Sequence, residues 1–215
     1  DLGGDDANDE AVDEDVEADV DPAAARRRQR IRSGVEWVVV IGGALLVALL
    51  VRTFLFTTFW IPSGSMEPTL MGGSRRDRVV VNRVAYKLGD PGRGDIVVFT
   101  LPPGEPTITV DGQEVNDLIK RVIGLPGETI TLRDGEVYVD GEELEEPYLP
   151  DGVTTEPCIP GVDTFEVPDD AVFVMGDNRG FSRDARCWDQ HWVDEDTIVG
   201  KAAIRIWPLS EFGRI

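Results

Sequence analysis

Two patterns of apolar spacing divide the chain. Trp37 to Val51 is an unbroken apolar run of fifteen residues, about 22 Å long as an α-helix. That is short of a hydrocarbon layer of roughly 30 Å. Beyond Arg52, however, Phe54-Leu55-Phe56 and Phe59-Trp60-Ile61 carry the apolar character onward. Arg52 can turn its guanidinium toward the headgroups, and Phe59 and Trp60 suit the interfacial aromatic belt. Counted from Val35 to Trp60 the run is long enough to span, so residues 34–60 are predicted to form a single transmembrane α-helix.

From Trp60 onward the apolar stretches are short, alternating or fully apolar, and interrupted by Gly, Pro and Asp. Strands are predicted at Arg78–Asn82, Asp95–Phe99, Leu118–Ile123, Thr164–Val167, Ala171–Met175 and Ile198–Trp207. Thr129–Leu132 and Val137–Val139 flank Asp134-Gly135, the sequence of a tight two-residue hairpin. This half has no long segment of helical period, so residues 61–215 are expected to form a mainly β domain, an antiparallel sheet in a sandwich or partly closed barrel with a β-hairpin extension. That length can bury a substantial core.

Charge orients the predicted helix. Arg26-Arg27-Arg28-Gln29-Arg30-Ile31-Arg32 lies directly before the apolar run, which predicts a cytoplasmic N-terminus and an extracytoplasmic C-terminal domain at the plasma membrane. A cleavable signal peptide shares the order of basic then apolar residues. It fits poorly with the long acidic segment upstream and the lack of a small-x-small cleavage site downstream. Asp1 to Asp21 holds eleven acidic residues and no basic one, so residues 1–33 are expected to be a solvated, disordered tail, acidic then basic. The first residue is Asp rather than Met, as in a piece of a longer precursor. The net charge of −20 argues against nucleic acid as a partner, since phosphate binding needs a basic surface. Arginine outnumbers lysine eighteen to three, a bias like that of high-GC bacterial coding.

The scarce residues narrow the chemistry. With one histidine (His191) and two distant cysteines, the chain cannot assemble a multi-histidine zinc site, and no metal or cofactor is expected. His191 lies in an apparent loop, Trp188 to Trp192, where a surface role and a place in a Ser-His-Asp triad are both conceivable. Cys158 and Cys187 fall in the predicted extracytoplasmic part, where a disulfide can form and persist. A bridge would close a loop of about 30 residues, worth roughly 3–4 kcal/mol in the chain-entropy model. Two unpaired buried thiols are the alternative.

A serine hydroxyl becomes a useful nucleophile when a neighbouring base takes its proton. Lysine can serve, provided it is neutral. At an ordinary pKa near 10.4 only about 0.04% is neutral at pH 7, and lowering the pKa to about 8 raises this to roughly 10% at a cost near 3 kcal/mol. The base must therefore sit in an apolar, water-poor place without a carboxylate partner. Of the three lysines, Lys120 shares its strand face with Leu118 and Val122, Lys201 shares its face with Ala203 and Arg205, and Lys87 lies in a Gly/Asp-rich turn. Lys120 alone meets the test, although a rim lysine whose stem covers apolar surface has the same pattern. Ser63-Gly64-Ser65 offers two hydroxyls around a glycine, one to attack and one to help bind an oxyanion, in a triplet also common in ordinary turns.

Several segments in order resemble the bacterial type I signal peptidases, or leader peptidases. These are Pro62-Ser63-Gly64-Ser65-Met66 with Pro68-Thr69-Leu70, then Asp77–Asn82, then Arg93–Phe99, then Ile119–Gly127, and finally Gly176-Asp177-Asn178-Arg179 with Ser182, Asp184 and Arg186. The resemblance covers roughly Trp60 to Trp207. It implies a membrane-anchored serine endopeptidase that removes signal peptides from secretory preproteins after small residues at −1 and −3. Ser65 is then the nucleophile and Lys120 the general base. Ser182 orients the lysine through a hydrogen bond, and the Ser63 hydroxyl with the Ser65 N–H forms the oxyanion hole. Met66, Arg121, Asp177, Asp184 and Arg186 are supporting residues. Gly180-Phe181 departs from the resemblance, which leads to the expectation of polar residues there. A catalytically silent, membrane-anchored scaffold and a soluble Ser-Lys autoprotease are the competing readings. The full set of reactive side chains argues against the first and the predicted anchor against the second.

Overall fold

The computed structural model describes residues 36–50, 55–110 and 112–215. The expected acidic and basic tail and the junction at 51–54 lie outside the described residues. Residues 36–48 belong to one compact unit and the chain from Leu49 onward to another. Residues 36–50 are helical with their side chains exposed. Among the described residues no helix is long and apolar enough to cross a membrane.

The predicted helix over 34–60 needs one correction. Phe56–Trp60 is a β-strand. Its Thr57 and Thr58 are β-branched and its partner strand is Val-rich, so these residues gain a full antiparallel ladder against Arg78–Asn82. Phe59 packs against a buried cluster.

The second unit is mainly β. In chain order its strands are β1 (Phe56–Trp60), β2 (Arg78–Asn82), β3 (Ile96–Thr100), β4 (Ile108–Val110), β5 (Gln113–Val115), β6 (Asp117–Gly124) and β7 (Thr129–Arg133). They continue with β8 (Glu136–Val139), β9 (Glu142–Glu143), β10 (Thr164–Glu166), β11 (Ala171–Met175), β12 (Val193–Asp194), β13 (Ile198–Trp207) and β14 (Gly213–Arg214). The main sheet runs β1-β2-β13-β3-β6-β11-β12, with β14 on β13, and every pairing is antiparallel. Its pairing path is open, with β1 and β12 as ends. The predicted hairpin is β7–β8, and it belongs to a second sheet, β10-β7-β8-β9. Asp134 and Gly135 carry φ of 57° and 85°, the paired positive values that a type I′ turn requires. β4 and β5 form a separate hairpin.

Alternation along the strands puts apolar side chains on both faces of the main sheet. One cluster gathers Val97, Phe99, Leu118, Val122, Phe173 and Trp188 with the second sheet's Ile130, Leu132 and Val137. The other gathers Ile61, Met66, Leu70, Val79, Val81, Val98 and Ile119. Because β6 contributes to both clusters and is buried along nearly its whole length, any polar side chain on it must find a partner inside the protein.

Candidate active site

Lys120 is that polar side chain. It is 3% exposed, and its Nζ lies 2.7 Å from Ser65 Oγ and 3.1 Å from the Ile119 carbonyl. Ser65, 6% exposed, sits in a single 3₁₀ turn, Gly64–Met66, that follows the extended Ser63. The sequence pins this turn locally. Met66 and Leu70 are fully buried anchors, and the Leu70 N–H donates to the Met66 carbonyl at 2.9 Å. The backbone of Gly72 packs so closely under Ser63 that a Cβ there would fall 2.1 Å from the Ser63 carbonyl oxygen. Ser63 Oγ donates to Ser65 Oγ at 3.2 Å, so the Ser-Gly-Ser triplet brings both hydroxyls to the lysine end of β6.

Burial lowers the Lys120 pKa from 10.5 to about 8, with the Arg186 charge acting in the same direction and the Asp184 and Asp177 charges opposing it. Burial outweighs that opposition, and both carboxylates are bonded to arginines. Asp177 receives Arg121 through two bonds, Nε to Oδ1 at 2.8 Å and Nη2 to Oδ2 at 2.6 Å. Arg121 also donates to the Gly94 carbonyl at 2.9 Å and lies over the Tyr148 ring at 3.8 Å. Asp184 receives Arg186 Nε at 2.8 Å and Nη2 at 2.9 Å, and its Oδ2 accepts the Gly176 N–H at 3.0 Å. Among the described residues Lys120 has no ion-pair partner. The five supporting residues implied by the resemblance are therefore buried around the dyad: Met66 as packing, the four charged ones as two self-contained pairs.

Ser182 is placed differently from the expectation. Its Oγ makes no hydrogen bond among the described residues, and the lysine amine turns instead to Ser65 and its own strand's carbonyl. The Ser182 hydroxyl lies over the Cα of Gly176, where a Cβ would fall 2.2 Å from Oγ and 2.3 Å from the Ser65 carbonyl. Only glycine fits between them. His191 is bonded through Nδ1 to the Ala185 carbonyl at 2.7 Å and packs edge-on against Phe165, so its hydrogen bond goes to the backbone rather than to a serine. Cys158 and Cys187 are joined as a disulfide, Cα atoms 5.0 Å apart. Among the described residues no cluster of His, Cys, Asp and Glu could hold a metal ion.

Sequence reasoning missed Asn178. Its side-chain Nδ2 donates to the Gly64 carbonyl at 2.9 Å and its N–H donates to the Ser65 carbonyl at 3.1 Å, which ties the Gly64–Met66 turn to the segment after β11. The signal was a polar residue inside the Gly-Asp-Asn-Arg run, but its partner is 114 residues away.

A cleft of about 160 Å³ opens beside the dyad, walled by Ile61, Pro62, Ser63, Leu118, Ile119 and Phe181 among others. β11 pairs with β6 only from Arg121 onward, while β3 pairs with all of Asp117–Arg121. Along the cleft Asp117–Lys120 therefore keeps one strand edge without a ladder.

Comparisons with known proteins identify the family. A family described as "Signal peptidase, peptidase S26" matches residues 34–207. A probable signal peptidase I-1 of Synechocystis sp. is 41% identical over 188 residues, 87% of this chain and 88% of its own. A second Synechocystis protein, probable signal peptidase I-2, is 38% identical over 79% of this chain and 72% of its own. Signal peptidase IB of Staphylococcus aureus (strain COL) is 35% identical over 83% of this chain and 92% of its own. With the family matched over most of the length and these relatives covered over 72–92% of their own length, the chain belongs to the signal peptidase family, peptidase S26, and is a peptidase of the signal peptidase I kind.

Proposed function

We propose that this peptidase cuts signal peptides from secretory preproteins with Ser65 as nucleophile and Lys120 as general base, working at the outer face of the plasma membrane. The observation that carries the reading is the 2.7 Å approach of a buried, unpaired lysine amine to a serine hydroxyl. A charged ammonium donates that hydrogen bond. A neutral amine receives it from the hydroxyl, which is the arrangement a general base needs.

The steps follow from the groups present. Ser65 Oγ attacks the carbonyl carbon at −1 while its proton passes to Lys120 Nζ. The Ser65 N–H and the Ser63 hydroxyl, already within 3.2 Å of Ser65 Oγ, stabilise the oxyanion. As the tetrahedral intermediate collapses, Lys120 gives its proton to the leaving amine. The neutral lysine then activates water against the ester, releasing the signal peptide's new carboxylate and freeing Ser65. Asn178, Asp177 and Asp184 act through the turn and the backbone that hold these atoms in place, and a misplacement of even 1 Å is costly to such chemistry.

The substrate enters as an extended strand added to the unladdered edge of Asp117–Lys120. The apolar wall of Ile61, Val98 and Ile119 and the small volume of the cleft support shallow pockets that reject large side chains at −1 and −3. The apolar segment before β1 anchors the chain, and Arg26–Arg32 hold its N-terminus in the cytoplasm. Ser65 follows the start of β1 at Phe56 by nine residues, at most about 32 Å of extended chain, and a nucleophile this near the anchor in sequence suits membrane-tethered preproteins. Neither metal nor cofactor enters the reaction.

The test is cleavage of a preprotein by the detergent-solubilised full chain, beside Ser65→Ala and Lys120→Ala. The wild-type chain should release mature protein with a chelator present, and both variants should be inert. Cleavage that survives in either variant sinks the dyad.

A further inference from the structure

Phe181 is an apolar side chain standing in water beside the dyad. It is 68% exposed, yet it lines the same cleft as Ser65 and Lys120. The turn that presents it is fixed, since the N–H groups of Phe181 and Ser182 both donate to the Asn178 carbonyl, at 3.0 and 2.8 Å. Two residues on, Arg183 is held by Glu105 at 2.7 Å. A fixed, exposed phenyl ring at a cleft rim gains free energy when something apolar covers it.

The sheet register shows which side of the cleft this ring occupies. β3 and β6 pair Val97 with Lys120, Val98 with Ile119 and Phe99 with Leu118. Val97, Phe99, Leu118 and Lys120 therefore project to one face, and Val98 and Ile119 to the other. The chain after Phe181 packs on the first face, where Ala185 and Trp188 join the cluster containing Leu118 and Trp188 meets Phe99 at 6.0 Å. The opposite face of the cleft is closed by Ile61, Val98 and Ile119.

An extended peptide on the β6 edge alternates its side chains between these faces. Small residues at −1 and −3 fit against the Ile61, Val98 and Ile119 wall, which directs the side chain at −2 toward Leu118 and Phe181. We propose that Phe181 is a specificity-determining residue that covers the preprotein side chain at −2 and favours a bulky apolar one there. The proposal rests on the strand-addition reading of the previous section and adds a third position of selectivity to it.

The experiment uses peptide substrates with Ala at −1 and −3 and either Phe or Ala at −2, cleaved by the full chain in detergent. For the wild-type chain, kcat/KM should favour Phe over Ala at −2 by about tenfold, the scale of discrimination that an apolar contact provides. In Phe181→Ala that ratio should fall to near one, and Phe181→Leu should retain most of it. A ratio near one in the wild-type chain, or the same ratio in Phe181→Ala, overturns the proposal. So does a change of preference confined to −1 or −3. These results leave the Ser65–Lys120 reading standing as long as Ser65→Ala is inert. Undiminished cleavage by Ser65→Ala removes that reading and this proposal together.

Discussion

Lys120 on β6 and Lys201 on β13 are both register partners of Val97 on the strand between them. The two lysines stand in one cross-strand row of one sheet, and their surroundings are opposite. Lys201 has a 42% exposed side chain and an ion pair with Asp95 at 2.5 Å, and Asp95 is further fixed by Tyr86 and the Gly92 N–H. Lys120 is buried, its nearest polar partners are a serine and a backbone carbonyl, and the two acids close enough to affect it are already bonded to arginines. Residue type and strand position are shared. What differs is the removal of water at Lys120 and the arginines that take up its neighbouring carboxylates, the conditions the proposed base requires.

The largest difference between the two positions should appear in the rate. Lys120→Ala is expected to lower kcat/KM for preprotein cleavage by about 10³-fold or more, the loss typical of a general base. Lys201→Ala should stay within about threefold, because its partner is a half-exposed surface pair. Comparable losses in the two variants would mean that the row, and not the local environment, carries the effect.

The contrast was partly legible before any coordinates. Alternation put Leu118 and Val122 on the face of Lys120, and this sufficed to choose it. The expected sharing of a face by Lys201 and Arg205 fails, because a register shift between Ala202 and Ile204 turns Arg205 to the other side. The strands β2, β7, β8, β11 and β13 were legible for the same reason. β1 was not, because a short apolar run such as Phe56–Trp60 has no period that separates a strand from the end of a helix. Its two threonines were the cue. The Asp140-Gly141 turn, with φ of 51° and 86°, repeats the dipeptide read correctly at Asp134-Gly135 and was passed over because β9 is two residues long. Asn178 and Gly176 were beyond reach as specific roles. What they do depends on backbone carbonyls of Gly64 and Ser65 that only the folded chain brings alongside. The Ser182 bond to the lysine rested on resemblance alone, and that hydroxyl packs instead in the space left by the missing side chain of Gly176.

Stability should separate the two lysines next. Burial holds Lys120 near pKa 8 in the folded chain against an ordinary 10.5. The unfolded chain thus binds the proton more tightly, and below pH 8 the folded state bears nearly the whole penalty, about 3 kcal/mol. Lys120→Met removes the charge with little change of shape and should stabilise the chain by about 2–3 kcal/mol at pH 7, read from urea denaturation in detergent. The gain should shrink as pH rises from 8 to 10.5, because the wild-type amine becomes neutral in both states. Lys201→Met should instead destabilise by about 1 kcal/mol, because the Lys201 side chain is 42% exposed and Asp95 keeps its bonds to Tyr86 and the Gly92 N–H. Equal effects at the two positions would show that Lys120 is hydrated in solution.

The smallest effect is the pH dependence of the rate, and it bears most directly on what the buried environment does. Protonated Lys120 has no lone pair to receive the serine proton, so activity must follow the neutral fraction. With the pKa lowered to about 8 by burial, kcat/KM should rise about tenfold per pH unit below that value and level off above it, leaving roughly a tenth of the plateau at pH 7. The Arg186 charge adds to burial in lowering this value. Breaking the Arg186–Asp184 pair with Arg186→Met frees a carboxylate and removes a nearby cation, and both changes favour the charged amine. The inflection of the surviving activity should therefore move to higher pH, while Lys201→Met leaves it in place. A rate that stays flat from about pH 6 to 9 in the wild-type chain would withdraw the role given to the buried lysine.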